Sequence, residues 1–429
     1  MKRRSVLLLA EMANPEWPSV PLIGWQNAVY LREVANTHLV TQIRNKQAIE
    51  RQGWIEGQDF TAINSEAIAK IAYRLAMWLG AKNGKGWTTG MAFAAISYYY
   101  FEYLVWEKFG DRIKAGEYDV VHRITPVSPT VQSLLAAKCA RHGVPMIIGP
   151  LNGGVKWPKE FRNAQHAERE WLSYVRAVYK FMPGYRSSLK HATCLLVGSK
   201  ATLADIPHAY HHKCIYFPEN GIDPLKFQRR AQPWSCGPLK TIFVGRLVPY
   251  KGLDMAIEAL APLMQERMVT LDIVGDGPMM QSLRGLSKSL KVEAFVRFHG
   301  NVAHESVSDL MASAHVLCFP SIREFGGGVV LEAMATGVVP IVVDYAGPGE
   351  LVDEMNGYKI KLSSRKNIIN ELRHVVNRIA LAPDILRKKS IECLDRAESI
   401  HTWPKKAEML CRLYDSVKKG EEIKAINYY

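Results

Sequence analysis

An α/β architecture of two Rossmann-like, parallel-sheet domains facing across a cleft is what this sequence predicts, and three observations lead there. Short β-branched runs alternate with longer amphipathic segments along nearly the whole chain, which is the rhythm of βαβ units on parallel sheets. The 429 residues exceed one ordinary core and suit two domains of roughly 200 residues each. A cluster of turn formers, Phe217-Pro218-Glu219-Asn220-Gly221-Ile222-Asp223-Pro224, separates two strand-rich halves.

In the first half the runs at 6–10, 38–42, 119–122, 145–148 and 194–198 read as strands, and in the second those at 241–245, 270–275, 296–299, 316–319 and 339–343. Residues 1–217 therefore make a first domain and 218–402 a second. Residues 403–429 begin with helical spacing of Trp403, Ala407, Leu410, Leu413 and Tyr414 and contain no strand, so they read as a helix crossing back to the first domain. The basic start, Met1-Lys2-Arg3-Arg4, followed by an apolar run imitates a signal peptide. Glu11 closes that run too early for one, and it reads better as a buried first strand.

Hydrophobic residues at 48% and charged residues at 22% give the balance of a soluble globular protein and exclude a disordered or integral membrane chain. The seven cysteines are scattered and never spaced as CxxC, which favours a reducing cytoplasm over a zinc site or disulfide framework. No stretch reaches the roughly 18 apolar residues of a spanning helix; the nearest, 88–101, is closed by Glu102. The net charge of +14 implies an anionic partner: nucleic acid, a phospholipid leaflet or a phosphorylated substrate.

The strongest chemical signal runs from Ser321 to Ala335. A strand ending at Pro320 enters a glycine-rich turn, Gly326-Gly327-Gly328-Val329, and a helix begins at about Gly328, with its free N–H groups and positive dipole end toward the loop. Without Cβ atoms the glycines let the backbone approach a pyrophosphate or sugar. Glu324 and Glu332 flank the turn, and carboxylates accept well from vicinal hydroxyls. A plain strand-to-helix turn with a solvated and a capping glutamate fits the same residues. A second cluster, Gly245-Arg246 with Lys251-Gly252, again sets a glycine at a strand's C-terminal edge, where open α/β sheets bind ligands, and adds two cations suited to a diphosphate. A solvated basic loop is its structural alternative.

Together the two clusters resemble the retaining nucleotide-sugar enzymes of glycosyltransferase family 4, which have the GT-B fold. The family's Gly-Arg…Lys-Gly loop is matched by Gly245-Arg246 and Lys251-Gly252, and its pair of glutamates eight positions apart by Glu324 and Glu332. Lesser matches keep the family order from Asn220-Gly221-Ile222-Asp223 through Gly275-Asp276-Gly277-Pro278 to Gly347-Pro348-Gly349-Glu350. The resemblance implies that Arg246 and Lys251 contact the diphosphate, Glu324 the donor sugar and Glu332 the ribose. It further implies that the backbone of Gly326, Gly327, Gly328 and Val329 meets sugar or phosphate, that Gly245 lines the same site, and that the base lies near Phe298-His299-Gly300-Asn301.

The first half matches less well. Its loop Trp17 to Trp25 has Pro18 at the family's first glycine and Val20 where an acid is common, and Ile124 occupies the position of a family histidine, with His122 two residues earlier as a substitute. A packed strand-end histidine is the other reading of His122. The loop Gly149-Pro150-Leu151-Asn152-Gly153-Gly154 is expected on the acceptor side.

The implied catalytic set is thus Glu324, His122, Lys251 and Arg246, with no cofactor and no metal, since two basic side chains do a metal's electrostatic work and the chain lacks a DxD triplet. The implied partners are a nucleotide-sugar donor and a glycan or lipid-linked acceptor, in cell-surface or exopolysaccharide synthesis, without nucleic acid. The charge and the aromatic segment from Trp87 to Trp106 suit peripheral contact with an anionic inner membrane face, or else a buried helix. A sugar-nucleotide epimerase or hydrolase would need an activated water that only His122 could supply. A dehydrogenase finds only Gly275-Asp276-Gly277, and a nucleic-acid binder finds no aromatic-basic module.

Overall fold

In the first sheet, β1 (Ser5–Ala10) is apolar on both faces and buried, as a strand paired on both sides must be. The computed structural model describes residues 3–67, 87–153, 155–161 and 179–421, with side chains 87–96, 304 and 305 outside that description. Around β1 lie β2 (Asn36–Gln42), β3 (Phe60–Ile63), β4 (Val120–Thr125), β5 (Met146–Leu151), β6 (Cys194–Val197) and β7 (Cys214–Tyr216), in the order β3-β2-β1-β4-β5-β6-β7. Every pairing is parallel. Helix α1 (Val20–Val34) returns the chain from β1 to β2. A Cβ on its Gly24 would lie 2.1 Å from the Met12 carbonyl oxygen, so this glycine lets the helix close on the backbone just after β1.

Helix α2 (Trp87–Lys114) buries Tyr98, Phe101, Val105, Phe109 and Ile113, one stripe at helical spacing. Glu102 on the same helix is also buried: its Oε2 accepts from the amides of Leu134 (2.7 Å) and Leu135 (3.1 Å) and its Oε1 from the Ser133 hydroxyl (2.5 Å). Tyr103 points outward, 53% exposed, so the aromatic segment is both a core element and a surface. Its start, 87–96, lies outside the described side chains.

The second sheet repeats the pattern with β8 (Leu239–Val244), β9 (Val269–Val274), β10 (Val296–Gly300), β11 (Val316–Phe319), β12 (Val339–Val343) and β13 (Tyr358–Ile360), in the order β10-β9-β8-β11-β12-β13 and all parallel. Helix α3 (Leu253–Gln265) joins β8 to β9, and α4 (Gly328–Ala335) joins β11 to β12. In each sheet the winding direction reverses at one place, between β1 and β4 or between β8 and β11. The connections leaving such a pair run to helices on opposite faces of the sheet, and a crevice forms at the carboxyl edge.

The described residues divide into two compact units, one within Met1–Gly154, Glu168–Glu219 and Trp403–Tyr429, the other within Val155–Ala167 and Asn220–Thr402. The border after Glu219 falls two positions beyond the expected 217. The first domain is also not one unbroken stretch, because residues 155–161, between β5 and β6, belong to the second unit. The last helix, α5 (Trp403–Lys419), buries Trp403, Ala407, Leu410, Leu413 and Tyr414 in the core built on β1 and α1. No described helix is long and apolar enough to cross a membrane.

Thirteen strands are described where the sequence pattern marks ten. The three unmarked ones, β3, β7 and β13, are edge strands of four residues or fewer, paired on one side only.

Candidate functional site

The crevice between β8 and β11 collects the charged and glycine-rich residues of the second half. After β8 the chain passes Gly245 and Arg246, makes a short turn at Pro249–Lys251 and starts α3 directly after Gly252. Gly252 has φ 72°, and a Cβ there would sit 2.3 Å from the Pro320 carbonyl oxygen, so a larger residue would push this loop off the one that follows β11. Hydrogen bonds tie the same two loops together: the Tyr250 carbonyl accepts from the amide of Ile322 (2.9 Å) and the hydroxyl of Ser321 (3.2 Å).

That tie sets Lys251 against Glu324. The ammonium donates to Glu324 Oε2, with the two side chains only 15% and 20% exposed, and it lies 5.1 Å from the centre of the Phe319 ring. A cation and a carboxylate thus meet at the mouth of the switch point, partly screened from water, where a charge-assisted hydrogen bond is stronger than on an open surface. Arg246 is exposed on the loop after β8.

From Glu324 the chain runs through buried Gly326 and Gly327 into α4, with Gly327 at φ 62° as its cap and Gly328 and Val329 in its first turn. A Cβ on Gly347, at the start of the turn after β12, would lie 2.0 Å from the Phe325 carbonyl oxygen, so that turn braces the loop from behind. Glu332 is half-buried one turn after Gly328, on the same side of α4. Asn220 reaches the helix start, since a Cβ on Gly328 would be 3.4 Å from its Cγ. The N-terminus of α4 is therefore a glycine-lined, positively polarised end beside a lysine, an arrangement that can hold linked phosphates.

On the other flank, Gly245, Gly275 and Gly300 end β8, β9 and β10 backbone to backbone. The Gly275 amide donates to the Gly300 carbonyl (2.7 Å), and a Cβ on Gly275 would fall 2.1 Å from the Gly245 carbonyl oxygen. His299 Nε2 pairs with Asp272 Oδ1 at 2.6 Å beside them. Gly245, Arg246, Lys251, Gly300, Glu324, Gly326, Gly327, Gly328, Val329 and Glu332 thus all lie on the carboxyl edge of the second sheet or on the helix leaving it.

His122 requires a correction. It lies on β4 in the first unit and has no exposed surface. Burial, with Arg123 beside it, pushes its pKa down to about 4 against the opposing hydrogen bond to Gly149, so the ring is neutral near pH 7. Its Nε2–H donates to the Gly149 carbonyl (2.8 Å), which leaves Nδ1 to accept from the Tyr414 hydroxyl (2.7 Å). Both ring nitrogens are committed to packing α5 against β4, and the ring presents no face to a substrate. The alternative reading, a packed strand-end histidine, describes it.

Sequence reasoning passed over Tyr250, Arg323 and Trp157, which pack against one another next to the charged pair. Trp157 meets Tyr250 edge to face at 6.0 Å, and the Arg323 guanidinium lies 4.8 Å from the Trp157 ring centre. Tyr250 and Arg323 adjoin motif residues and were findable by position, whereas Trp157 lies in the distant 155–161 segment without a local signal.

Residues 226–385 match the family model described as Glycosyl transferases group 1. The MMP alpha-(1->4)-mannosyltransferase of Mycolicibacterium hassiacum is 26% identical over 308 residues, 70% of this chain and 71% of that one. A glycogen synthase of Mycobacterium tuberculosis is 29% identical over 203 residues, so this chain spans about half the length of that relative, 48%, while 47% of its own length is matched. Among solved structures, a glycosyltransferase from Rickettsia africae superposes with a TM-score of 0.63 at 13% identity, covering 98% of this chain and 100% of that one. Anabaena HepE, solved with UDP and glucose, gives 0.57 at 16% identity over 96% and 100%. The two parallel sheets are thus those of the GT-B fold, and the second unit carries a glycosyl transferases group 1 domain.

Proposed function

We propose that this protein is a retaining glycosyltransferase of the family 4 type, taking a sugar from a nucleoside diphosphate donor held at the carboxyl edge of its second sheet. The observation that carries this reading is the contact of Lys251 with Glu324 at the switch point, on the loop that leads into the N-terminus of α4. Lys251 and Arg246 would offset the charge of the departing diphosphate, together with the amides of Gly327, Gly328 and Val329. Glu324 would accept from hydroxyls of the transferred sugar and Glu332 from the ribose. The base would lie by Gly300.

In this reading the diphosphate leaves toward the cations, the sugar passes through an oxocarbenium-like state, and the acceptor hydroxyl attacks from the same face. Retention follows without a covalent enzyme intermediate. A phosphate oxygen takes the acceptor proton, a role for which buried, neutral His122 is unsuited. The chemistry needs no metal, because Arg246 and Lys251 occupy its electrostatic place. UDP-sugars are the first donors to try, since HepE was solved with UDP-glucose. For the acceptor, the net charge of +14 and the exposed Tyr103 on α2 support a glycan or lipid-linked substrate met at an anionic membrane face in the cytoplasm, in cell-surface or exopolysaccharide synthesis.

Thermal unfolding with UDP-, GDP- and ADP-sugars tests the donor, since a ligand at 100 times its Kd stabilises by about 2.7 kcal/mol. With the donor known, Lys251→Ala should lower kcat about 10²–10³-fold, the loss seen when one group stabilising developing negative charge is removed. Full turnover in that variant removes the assignment, and donor consumption that ignores every acceptor points to a hydrolase.

A further inference from the structure

The segment Val155 to Phe161 lies in sequence between two strands of the first sheet, yet packs into the second unit. Val155 is buried there, and the Lys156 carbonyl accepts from the Tyr345 hydroxyl at 2.6 Å. Trp157 then touches both halves of the site. Its ring meets Tyr250 edge to face at 6.0 Å and an interplanar angle of 89°. Its π face receives the guanidinium of Arg323 at 4.8 Å, and Phe325 receives the same guanidinium at 5.3 Å, so the cation is held between two aromatic rings.

Tyr250 directly precedes Lys251, and Arg323 directly precedes Glu324. One indole therefore grips the neighbour of each member of the ion pair, while Tyr345 anchors the segment to the turn that braces the loop at Phe325. A loop side chain has few fixed neighbours, and an aromatic wedge bonded on two sides removes that freedom.

We infer that Trp157 is a positioning residue for the donor site, setting the spacing between Lys251 and Glu324 through Tyr250 and Arg323. The inference rests on the proposed role of that pair in holding a nucleoside diphosphate. Trp157 acts on the pair through Tyr250 and Arg323, so its removal should weaken binding without abolishing it.

The test is calorimetric titration of the full chain with UDP, GDP and ADP, using wild type, Trp157→Ala, Trp157→Phe, Trp157→Leu, Tyr345→Phe and Lys251→Ala, with urea unfolding of each in parallel. For whichever diphosphate wild type binds, Trp157→Ala should raise Kd about tenfold, the scale of a partly desolvated cation–π contact. Phe, which keeps a ring, should recover most of the affinity. Leu, which keeps apolar volume alone, should not. Tyr345→Phe, which removes the anchoring hydrogen bond to Lys156, should give a smaller loss of the same sign. If Leu restores binding as well as Phe, the ring merely fills space and the inference fails. It fails too, with the site reading left standing, if Lys251→Ala loses binding while every Trp157 variant retains it. Wild type that binds none of the three overturns the site reading and this inference with it.

Discussion

Adding one methyl group at Gly275 tests how the crevice is built. Its φ of 130° is a conformation that side-chain-bearing residues rarely adopt, and a Cβ there would lie 2.1 Å from the Gly245 carbonyl oxygen and 2.9 Å from its carbon. Real Cβ atoms essentially never come within 3.0 Å of another heavy atom, so the ends of β8 and β9 would have to part by about 0.9 Å. No flexible side chain can yield, because the obstructing atoms are backbone. Those strands are also pinned, with the Gly245 amide on the Val274 carbonyl at 2.9 Å and the Gly275 amide on the Gly300 carbonyl at 2.7 Å. Strain and overpacking together give an expected loss of about 3–5 kcal/mol for Gly275→Ala in urea unfolding. Gly285 is the control. It sits in the helix Met280–Ser289, and among the described residues nothing outside its own helix backbone and chain neighbours lies within 4 Å of where a Cβ would be, so Gly285→Ala should stabilise by about 0.5–1 kcal/mol. A Gly275→Ala protein within 1 kcal/mol of wild type would refute the backbone-to-backbone account of this edge. The surviving folded fraction should also turn over about 10²-fold more slowly, since Arg246 rides on the displaced loop.

Two buried bases make stability depend on pH. Lys406 is buried, its ammonium donating to the Pro218 carbonyl and lying 3.8 Å from the Phe217 ring centre, and burial pushes its pKa down to about 7 against the pull of Glu219. The unfolded chain therefore holds one proton more between pH 7 and its ordinary 10.5, and stability rises with pH across that window. Lys406→Met should gain most below pH 7, by up to about 5 kcal/mol less the lost hydrogen bond, with the gain shrinking by about 1.4 kcal/mol per pH unit toward alkali. Urea midpoints from pH 7 to 9.5 that differ by a constant amount would contradict this. His122, held neutral with a pKa of about 4, gives the same sign lower down: stability falls as pH drops from 6.5 to 4, and His122→Phe should flatten that limb in acid unfolding. Tyr414→Phe leaves Nδ1 of His122 without its donor and should cost about 1–3 kcal/mol while leaving kcat unchanged, as expected if the histidine is structural.

The pattern of local and distant contacts explains what sequence reasoning could reach. Central strands such as β11 and β12 are buried along their whole length and announce themselves as apolar runs. Edge strands β3, β7 and β13 are three or four residues long and exist because a longer neighbour offers a ladder, so their own residues carry little period. The loops after β8 and β11 were legible for a similar reason: a glycine at a strand end followed by charge is a local arrangement, and neighbouring parallel strands put both loops on the same carboxyl edge. For His122 the sequence left two readings open, a stand-in for the family histidine and a packed strand-end residue, and only tertiary contacts decide between them. Its ring is closed off by Tyr414, 292 positions later, and no periodicity on β4 reports that partner. Trp157 is the same case in reverse, a residue in an irregular loop whose meaning comes from Tyr250 and Arg323, far along the chain. Sequence pattern therefore reveals a group's chemistry and its place along an element, whereas whether that group faces solvent, and what steadies it, depends on contacts made across the topology. Lys251 and Glu324 passed from the first kind of knowledge to the second only because Gly252 and the Tyr250 carbonyl bring their loops together.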